Sequence, residues 1–297
     1  MALTLSSLSG AAAAVRGARD VRFGALVLYP GPMSDALVEA AHRGARVDVT
    51  LQRNPYRGGA AERLANRRAA QALRAAGATV TLRDRERQPF HLKAAVCDGV
   101  AYLCDRNWPA DGRELVVADD DGADVALVLG TLRDAAGGSR GAFATRKADA
   151  LRAEAELIRS AGDAPVTVET ESFGGGAISA ALREHATRGA PTTLIVSRRE
   201  AAHDQRERTL LAHLRAAGVD VREGGANEKL ALCGDTAWIG SANATFAGGR
   251  EADQVEWGAV TTDAALVGAV RAALRRDAAP GGGASAVPPG TEHAGRG

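Results

Sequence analysis

Two hydrophobic rhythms alternate along this chain. VRFGALVL (21–28) is a continuous apolar run and ARVDVTL (45–51) alternates, and both patterns predict strands. Between and after them the apolar spacing turns helical. MSDALVEAAHRG (33–44) opens with a cap at Ser34 and ends at Gly44. AAERLANRRAAQALRAAG (60–77) stops at Gly77, a helix C-terminal signal. ATVTL (78–82) predicts a strand. LKAAVCDGVAYLC (92–104) predicts two short strands around Asp98-Gly99, a hairpin turn. ELVVAD (114–119) is the next strand and 123–136 a helix. The N-terminal MALTLSSLSGAAAAVRG has no Lys or Arg ahead of its apolar part, so it predicts a first amphipathic helix rather than a signal peptide.

The pattern then repeats. LRAAGATV (73–80) recurs as LRAAGVDV (214–221). EAAHRGARVDVTL (39–51) is matched by EHATRGAPTTLIV (184–196), and KAAVCDGVAYLCDRN (93–107) by KLALCGDTAWIGSAN (229–243). The order of the three pieces is the same in both halves, so the chain is an internal duplication. The second copy runs from VTVETE (166–171) to the helix AALVGAVRAALRRD (264–277). Residues 145–161 are expected to form an extra charged helix linking the copies. The Gly/Pro-rich stretch from 279 to 297 is expected to be disordered. This predicts an α/β protein of two halves, 1–140 and 141–278, with helices packed on mixed sheets and a pseudo-twofold axis between them. A site on that axis takes one contribution from each half.

Composition narrows the partners. Of 297 residues 45% are apolar, and 37 basic residues balance 36 acidic ones for a net charge of +1. Bulk charge therefore excludes a nucleic-acid coat protein, though not a local basic groove. No apolar run is long enough to span a membrane. Cys97, Cys104 and Cys233 are too few for a disulfide framework and suit no zinc spacing, so a reducing cytoplasm is expected and no metal or cofactor is implied. Of the 37 basic residues only Lys93, Lys147 and Lys229 are lysine. A chain that uses Arg almost everywhere keeps Lys where a compact point charge is wanted.

Two of those lysines occupy the same place in the repeat. On extended backbone residues i and i+2 share a face, which pairs His91 with Lys93 and Asn227 with Lys229. An ammonium beside a nucleophilic imidazole suits a phosphate: the one binds anionic oxygens, the other attacks phosphorus.

His91, Lys93 and Asp98 spell H-x-K-x4-D, and Gly240, Ser241 and Asn243 spell G-S-x-N. In these motifs the chain resembles the phospholipase D superfamily, over roughly residues 20–278. The resemblance implies duplicated phospholipase D-like α/β halves and a metal-free phosphodiesterase. One histidine attacks the phosphodiester to form a phosphohistidine and another protonates the leaving alcohol. It assigns catalysis to His91, Lys93, Asp98 and Lys229, and phosphate contacts to Asn107, Asn227, Ser241 and Asn243. Glu114 and Glu256 take the positions where the family often places a polar partner of the site.

The second half departs from the pattern. Asn227 stands for the histidine and Gly234 for the aspartate, and in the first half Cys104-Asp105-Arg106 precedes Asn107. Asn cannot transfer protons at neutral pH. His203 and Glu171, each just past a strand, could replace the donor, although both positions also read as ordinary solvent-facing residues. Arg83, Arg85 and Arg87 could form a basic rim. The expected function is phosphodiester hydrolysis or transfer on a phospholipid or nucleic acid. The alternative is an inactive relative that binds phosphate groups or nucleic acid. A pure scaffold accounts poorly for the survival of His91 and both lysines.

Overall fold

The computed structural model describes residues 3–55, 59–84, 90–108, 114–197, 205–225 and 228–278. Asn227, His203, Arg85, Arg87 and the tail from 279 lie outside them. The first sheet contains β1 (Thr4–Ser6), β2 (Asp20–Ala25), β3 (Arg46–Gln52), β4 (Thr79–Arg83), β5 (Ala94–Cys97), β6 (Val100–Cys104) and β7 (Val116–Asp119), in the order β1-β7-β6-β5-β2-β3-β4. The second contains β8 (Ser139–Arg140), β9 (Phe143–Arg146), β10 (Val166–Thr170), β11 (Thr192–Val196), β12 (Asp220–Glu223), β13 (Leu230–Cys233), β14 (Thr236–Gly240) and β15 (Val255–Thr261), in the order β12-β11-β10-β13-β14-β15-β9-β8. Apart from the edge strand β8, each strand of one sheet has a counterpart in the other. The mix of senses is also the same: β2-β3-β4 and β10-β11-β12 are parallel, and the remaining pairs antiparallel.

The helices follow suit: α1 (Leu8–Gly17), α2 (Pro32–His42), α3 (Ala60–Ala75) and α4 (Gly122–Asp134) in the first half, α5 (Lys147–Ser160), α6 (Ala177–Thr187), α7 (Gln205–Ala216) and α8 (Ala264–Asp277) in the second. Asp121 caps α4 by accepting from Ala123 and Asp124 N–H, and Asp263 caps α8 by accepting from Leu266 N–H. The charged helix expected as a linker is a correction. Residues Lys147–Ser160 follow β9 and precede β10 just as α1 follows β1 and precedes β2. Ala150, Leu151, Ala155 and Ile158 bury one face of α5 in the second-half core. The copied unit is therefore longer than the readable repeat, because it begins at the edge strands β1 and β9.

Each half has a core between its sheet and its helices, and a third core is shared. The shared core takes Val125, Val128 and Leu132 from α4 and Leu266, Val270 and Leu274 from α8, together with Phe90, Phe143 and Trp257. Among the hydrogen bonds that tie the halves, His91 N–H donates to the Val255 carbonyl at 3.1 Å and Trp257 Nε1 to the Cys104 carbonyl at 2.8 Å. All three cysteines are buried, free thiols.

Candidate functional site

The two motif segments lead into equivalent hairpins. Cys104 N–H donates to the Lys93 carbonyl at 3.0 Å, and at the matching place Gly240 N–H donates to the Lys229 carbonyl at 3.1 Å. Both lysines thus end the inner pair of strands at the inter-half seam. Gly240 has to be glycine: a Cβ there would come within 2.6 Å of the Trp257 carbonyl and of the Trp238 ring. That close approach delivers Ser241 to the seam.

There the halves exchange partners. His91, from the first half, places Nδ1 2.7 Å from Glu256 Oε1, from the second. Lys93 Nζ lies 3.8 Å from Glu256 Oε2 and against the His91 ring, 2.8 Å from Nδ1 and 3.1 Å from Nε2. Ser241 Oγ donates to Glu256 Oε2 at 2.8 Å and accepts from Trp257 N–H at 3.1 Å. The first half reproduces this bracket with different chemistry. Asp105 takes the place of Ser241, and its carboxylate accepts from Leu115 N–H at 3.0 Å. Glu114 stands where Glu256 stands in the copy.

Charge organises the cluster. Burial pushes the Glu256 carboxyl up, but His91 and Lys93, with smaller help from Lys147, override it and hold it at about 2. Glu256 is thus a fixed anion at neutral pH. Its hydrogen bond to Nδ1 favours the tautomer protonated there, so the lone pair is on Nε2, which Lys93 Nζ approaches at 3.1 Å. Burial lowers the His91 pKa, Glu256 pulls it up, and Lys93 and Lys229 push it down, for a net decrease. Burial brings the Lys93 ammonium down to about 8, with Lys229 pushing the same way. Each lysine therefore acts within the other's field. Lys229 Nζ pairs with Glu171 Oε2 at 3.1 Å, and Lys229, Lys93 and His91 together lower the Glu171 pKa. Asp105 is fully buried, and burial raises it to about 7 against the pull of Lys229 and Arg106. At neutral pH Asp105 is thus only about half ionised and repels an anion less than a full carboxylate would.

Several sequence-derived assignments change. Asp98 stands in the hairpin turn at the far end of β5, five residues from Lys93 and so about 17 Å along the strand. With Asp98 at φ 46° and Gly99 at φ 93°, the carboxylate accepts from Arg19 N–H at 3.1 Å and Asp20 N–H at 2.9 Å. It shapes a turn and is not part of the site. Gly234, at φ 58°, meets the same backbone need in the copy, so its departure from the motif does not alter the site's chemistry. Ser241 is fully buried with its hydroxyl committed to Glu256, so it positions that carboxylate rather than binding phosphate. Asn243 Oδ1 faces Thr170 Oγ1 and Ser172 N at 3.4 and 3.5 Å, beside Glu171. Asn107 keeps a buried Oδ1 with no hydrogen-bond partner. Glu114 reaches the cluster through its field on Asp105. The site also includes two residues to which the motif gave no role. Lys147 is buried, pairs with Glu251 at 3.1 Å and acts on Glu256. Its signal was its being one of only three lysines. The other is Glu171.

Among the described residues, three carboxylates come close enough for a metal ion: Glu169, Glu228 and Asp277, all buried, with oxygens within 4.8 Å of one another. Arg276 already pairs there, with Glu228 at 2.8 Å and Asp277 at 3.3 Å. No described helix is long and apolar enough to cross a membrane.

No protein-family model and no curated protein matches the sequence. Among solved structures, polyphosphate kinase from Porphyromonas gingivalis matches 89% of this chain with a TM-score of 0.57 at 14% identity, and the chain spans 45% of that protein's length. The match takes in both halves, as the duplicated sheets and the motif positions require. At 14% identity the likeness is one of fold alone. Two shorter proteins align with less than half of the chain. Nuc of Salmonella typhimurium, a phospholipase D family member, matches 44% of this chain and 90% of its own at 18% identity and TM-score 0.36. NucT from Helicobacter pylori matches 44% and 88% at 20% identity and TM-score 0.38. In this duplicated fold the seam between the halves is where His91, Lys93, Lys229 and Glu256 converge.

Proposed function

We propose that this chain is a phosphodiesterase that works through a phosphohistidine on His91. The observation carrying this reading is the buried triad of His91, Glu256 and Lys93. An anion 2.7 Å from Nδ1 fixes the tautomer and steadies the imidazolium, while an ammonium lies 3.1 Å from the attacking nitrogen. Lys93 and Lys229 hold the phosphoryl oxygens, with Asn107, Asn227 and Asn243 as neutral donors around them. Glu256 positions His91, and Ser241 positions Glu256. The enzyme is a hydrolase or transferase of phospholipid or nucleic-acid phosphodiesters in the cytoplasm, with domains at 1–140 and 141–278. A second reading, a phosphate-binding relative without turnover, draws support from Asn227 in place of a histidine.

The test is a substrate panel of bis-p-nitrophenyl phosphate, phospholipid vesicles, DNA and, given the polyphosphate kinase likeness, inorganic polyphosphate. Rapid acid-free quenching traps any phosphoenzyme. A phosphohistidine lost in His91→Ala supports the enzyme. A folded protein that binds tungstate but turns over nothing supports the second reading. Asn227→His should raise activity selectively on alkoxide leaving groups, because general acid catalysis is worth about 10²–10⁴-fold and p-nitrophenolate does not need it.

A further inference from the structure

The two halves differ at one position that matters to this chemistry. The loop from β2 to α2 and the loop from β10 to α6 have the same length, each ending at a glycine cap, Gly31 and Gly176. Aligned on those glycines, Glu171 falls opposite Leu26. Leu26 is a buried apolar residue; Glu171 is a carboxylate with 39% of its side chain exposed. The half that has lost its motif histidine has thus gained a titratable group. That group reaches the lysine beside the lost histidine, with Oε2 3.1 Å from Lys229 Nζ. Its partial exposure gives it contact with water.

We propose that Glu171 performs the two proton transfers that Asn227 cannot, an inference that rests on the phosphohistidine reading of the site. In the first step His91 Nε2 bonds to phosphorus, the phosphorus–oxygen bond to the leaving group breaks, and the departing oxygen takes the proton of the Glu171 carboxyl. In the second, a water oxygen bonds to phosphorus, the phosphorus–nitrogen bond breaks, and the Glu171 carboxylate takes the water's proton. The cycle returns His91 and Glu171 to their starting states. Without ligand Glu171 is ionised. The charged groups acting on it are Lys229 on its own half and Lys93 and His91 across the seam, and all three favour the carboxylate. A phosphoryl anion drawn to the same lysines weakens that hold, so substrate binding brings a proton onto Glu171 before the leaving group departs.

Two measurements on wild type, Glu171→Gln and Glu171→Asp decide it. With bis-p-nitrophenyl phosphate, Glu171→Gln should keep the stoichiometric burst of p-nitrophenolate, which leaves unprotonated. It should then accumulate phosphohistidine and turn over about 10²–10⁴-fold more slowly, with partial recovery in Glu171→Asp. Tungstate binding at pH 7, followed by calorimetry in two buffers of unlike ionisation heat, should show greater proton uptake by wild type than by Glu171→Gln, in which Asp105 and Lys93 supply what remains. Turnover of Glu171→Gln within about two-fold of wild type, or the same proton uptake in both proteins, overturns the role of Glu171 and leaves His91 standing. The His91 reading fails differently: wild type itself then gives no burst and no phosphohistidine, and the assignment to Glu171 falls with it.

Discussion

Replacing Glu256 by Gln tests the electrostatics of the seam most directly. The amide is isosteric; its oxygen can still accept from His91 Nδ1, while its NH2 must donate to Ser241 Oγ, whose hydroxyl turns away, so the main perturbation is the loss of one buried negative charge. In the folded protein the carboxyl titrates at about 2 instead of 4.5. At about 1.4 kcal/mol per pH unit, the ionised carboxylate contributes about 3 kcal/mol to stability. The sign follows from a folded pKa below the unfolded one: the contribution is complete above pH 4.5 and fades as pH falls towards 2. The stabilisation of Lys93 by Glu256 is the same interaction counted from the other end, so it adds nothing. Indeed Lys93, already lowered to about 8 by burial, can shed its proton in the variant and limit the damage. Urea unfolding of wild type and Glu256→Gln at pH 7 and at pH 3 reads the effect. The expected gap is about 3 kcal/mol at pH 7, shrinking by roughly half or more at pH 3. A gap independent of pH would mean that the loss is one of packing and that Glu256 does not hold His91 and Lys93 electrostatically. The same variant should also lose phosphohistidine formation, since the imidazolium has no counter-ion.

Asp105 behaves in the opposite sense. Its folded pKa of about 7 lies above the unfolded value, so its ionisation destabilises the protein increasingly between pH 4 and 7; Asp105→Asn should be the more stable protein above pH 7, by a few kcal/mol, in denaturant titrations. Asp98→Ala should lower the melting temperature through loss of the turn, while leaving kcat on bis-p-nitrophenyl phosphate unchanged; a large fall in kcat at an unchanged fold would return Asp98 to the site. Lys93→Ala and Lys229→Ala should each weaken tungstate binding by about 1–3 kcal/mol in calorimetry, the range for a charge-assisted hydrogen bond. Unchanged affinity in both would place the lysines outside the anion pocket.

The fold was legible wherever a local pattern carried it. The terminal helix Ala264–Asp277 has the bounds its periodicity predicts, and the hairpin at Asp98-Gly99 follows from its turn residues. What escaped was set by distant pairing. β1 is three residues long and owes its existence to β7, with Thr4 opposite Ala118. Without β1 the repeat seemed to start at β2, and α5 was left over as a linker. The site shows the same division. His91 and Lys93 declare themselves by spacing, and Lys229 by its place in the copy. Glu171 stands out in the sequence only by its place just past a strand; its pairing with Lys229, 58 residues away, comes from the folded backbone. Asp98 was misplaced because a sequence motif does not say whether its members share chemistry or share a turn.

The cross-seam bonds also set a timetable for the nascent chain. Cys104 and Trp257 are 153 residues apart, which at about 5–20 residues per second is some 8–30 s of synthesis. Throughout that interval His91 has neither Val255 to anchor its backbone nor Glu256 to orient its ring. The first half can emerge from the ribosome and build its sheet while the nucleophile stays unarmed. In the proposed mechanism activity is thus coupled to completion of β15, and a product truncated before it carries the whole of H-x-K-x4-D without the groups that anchor and orient His91.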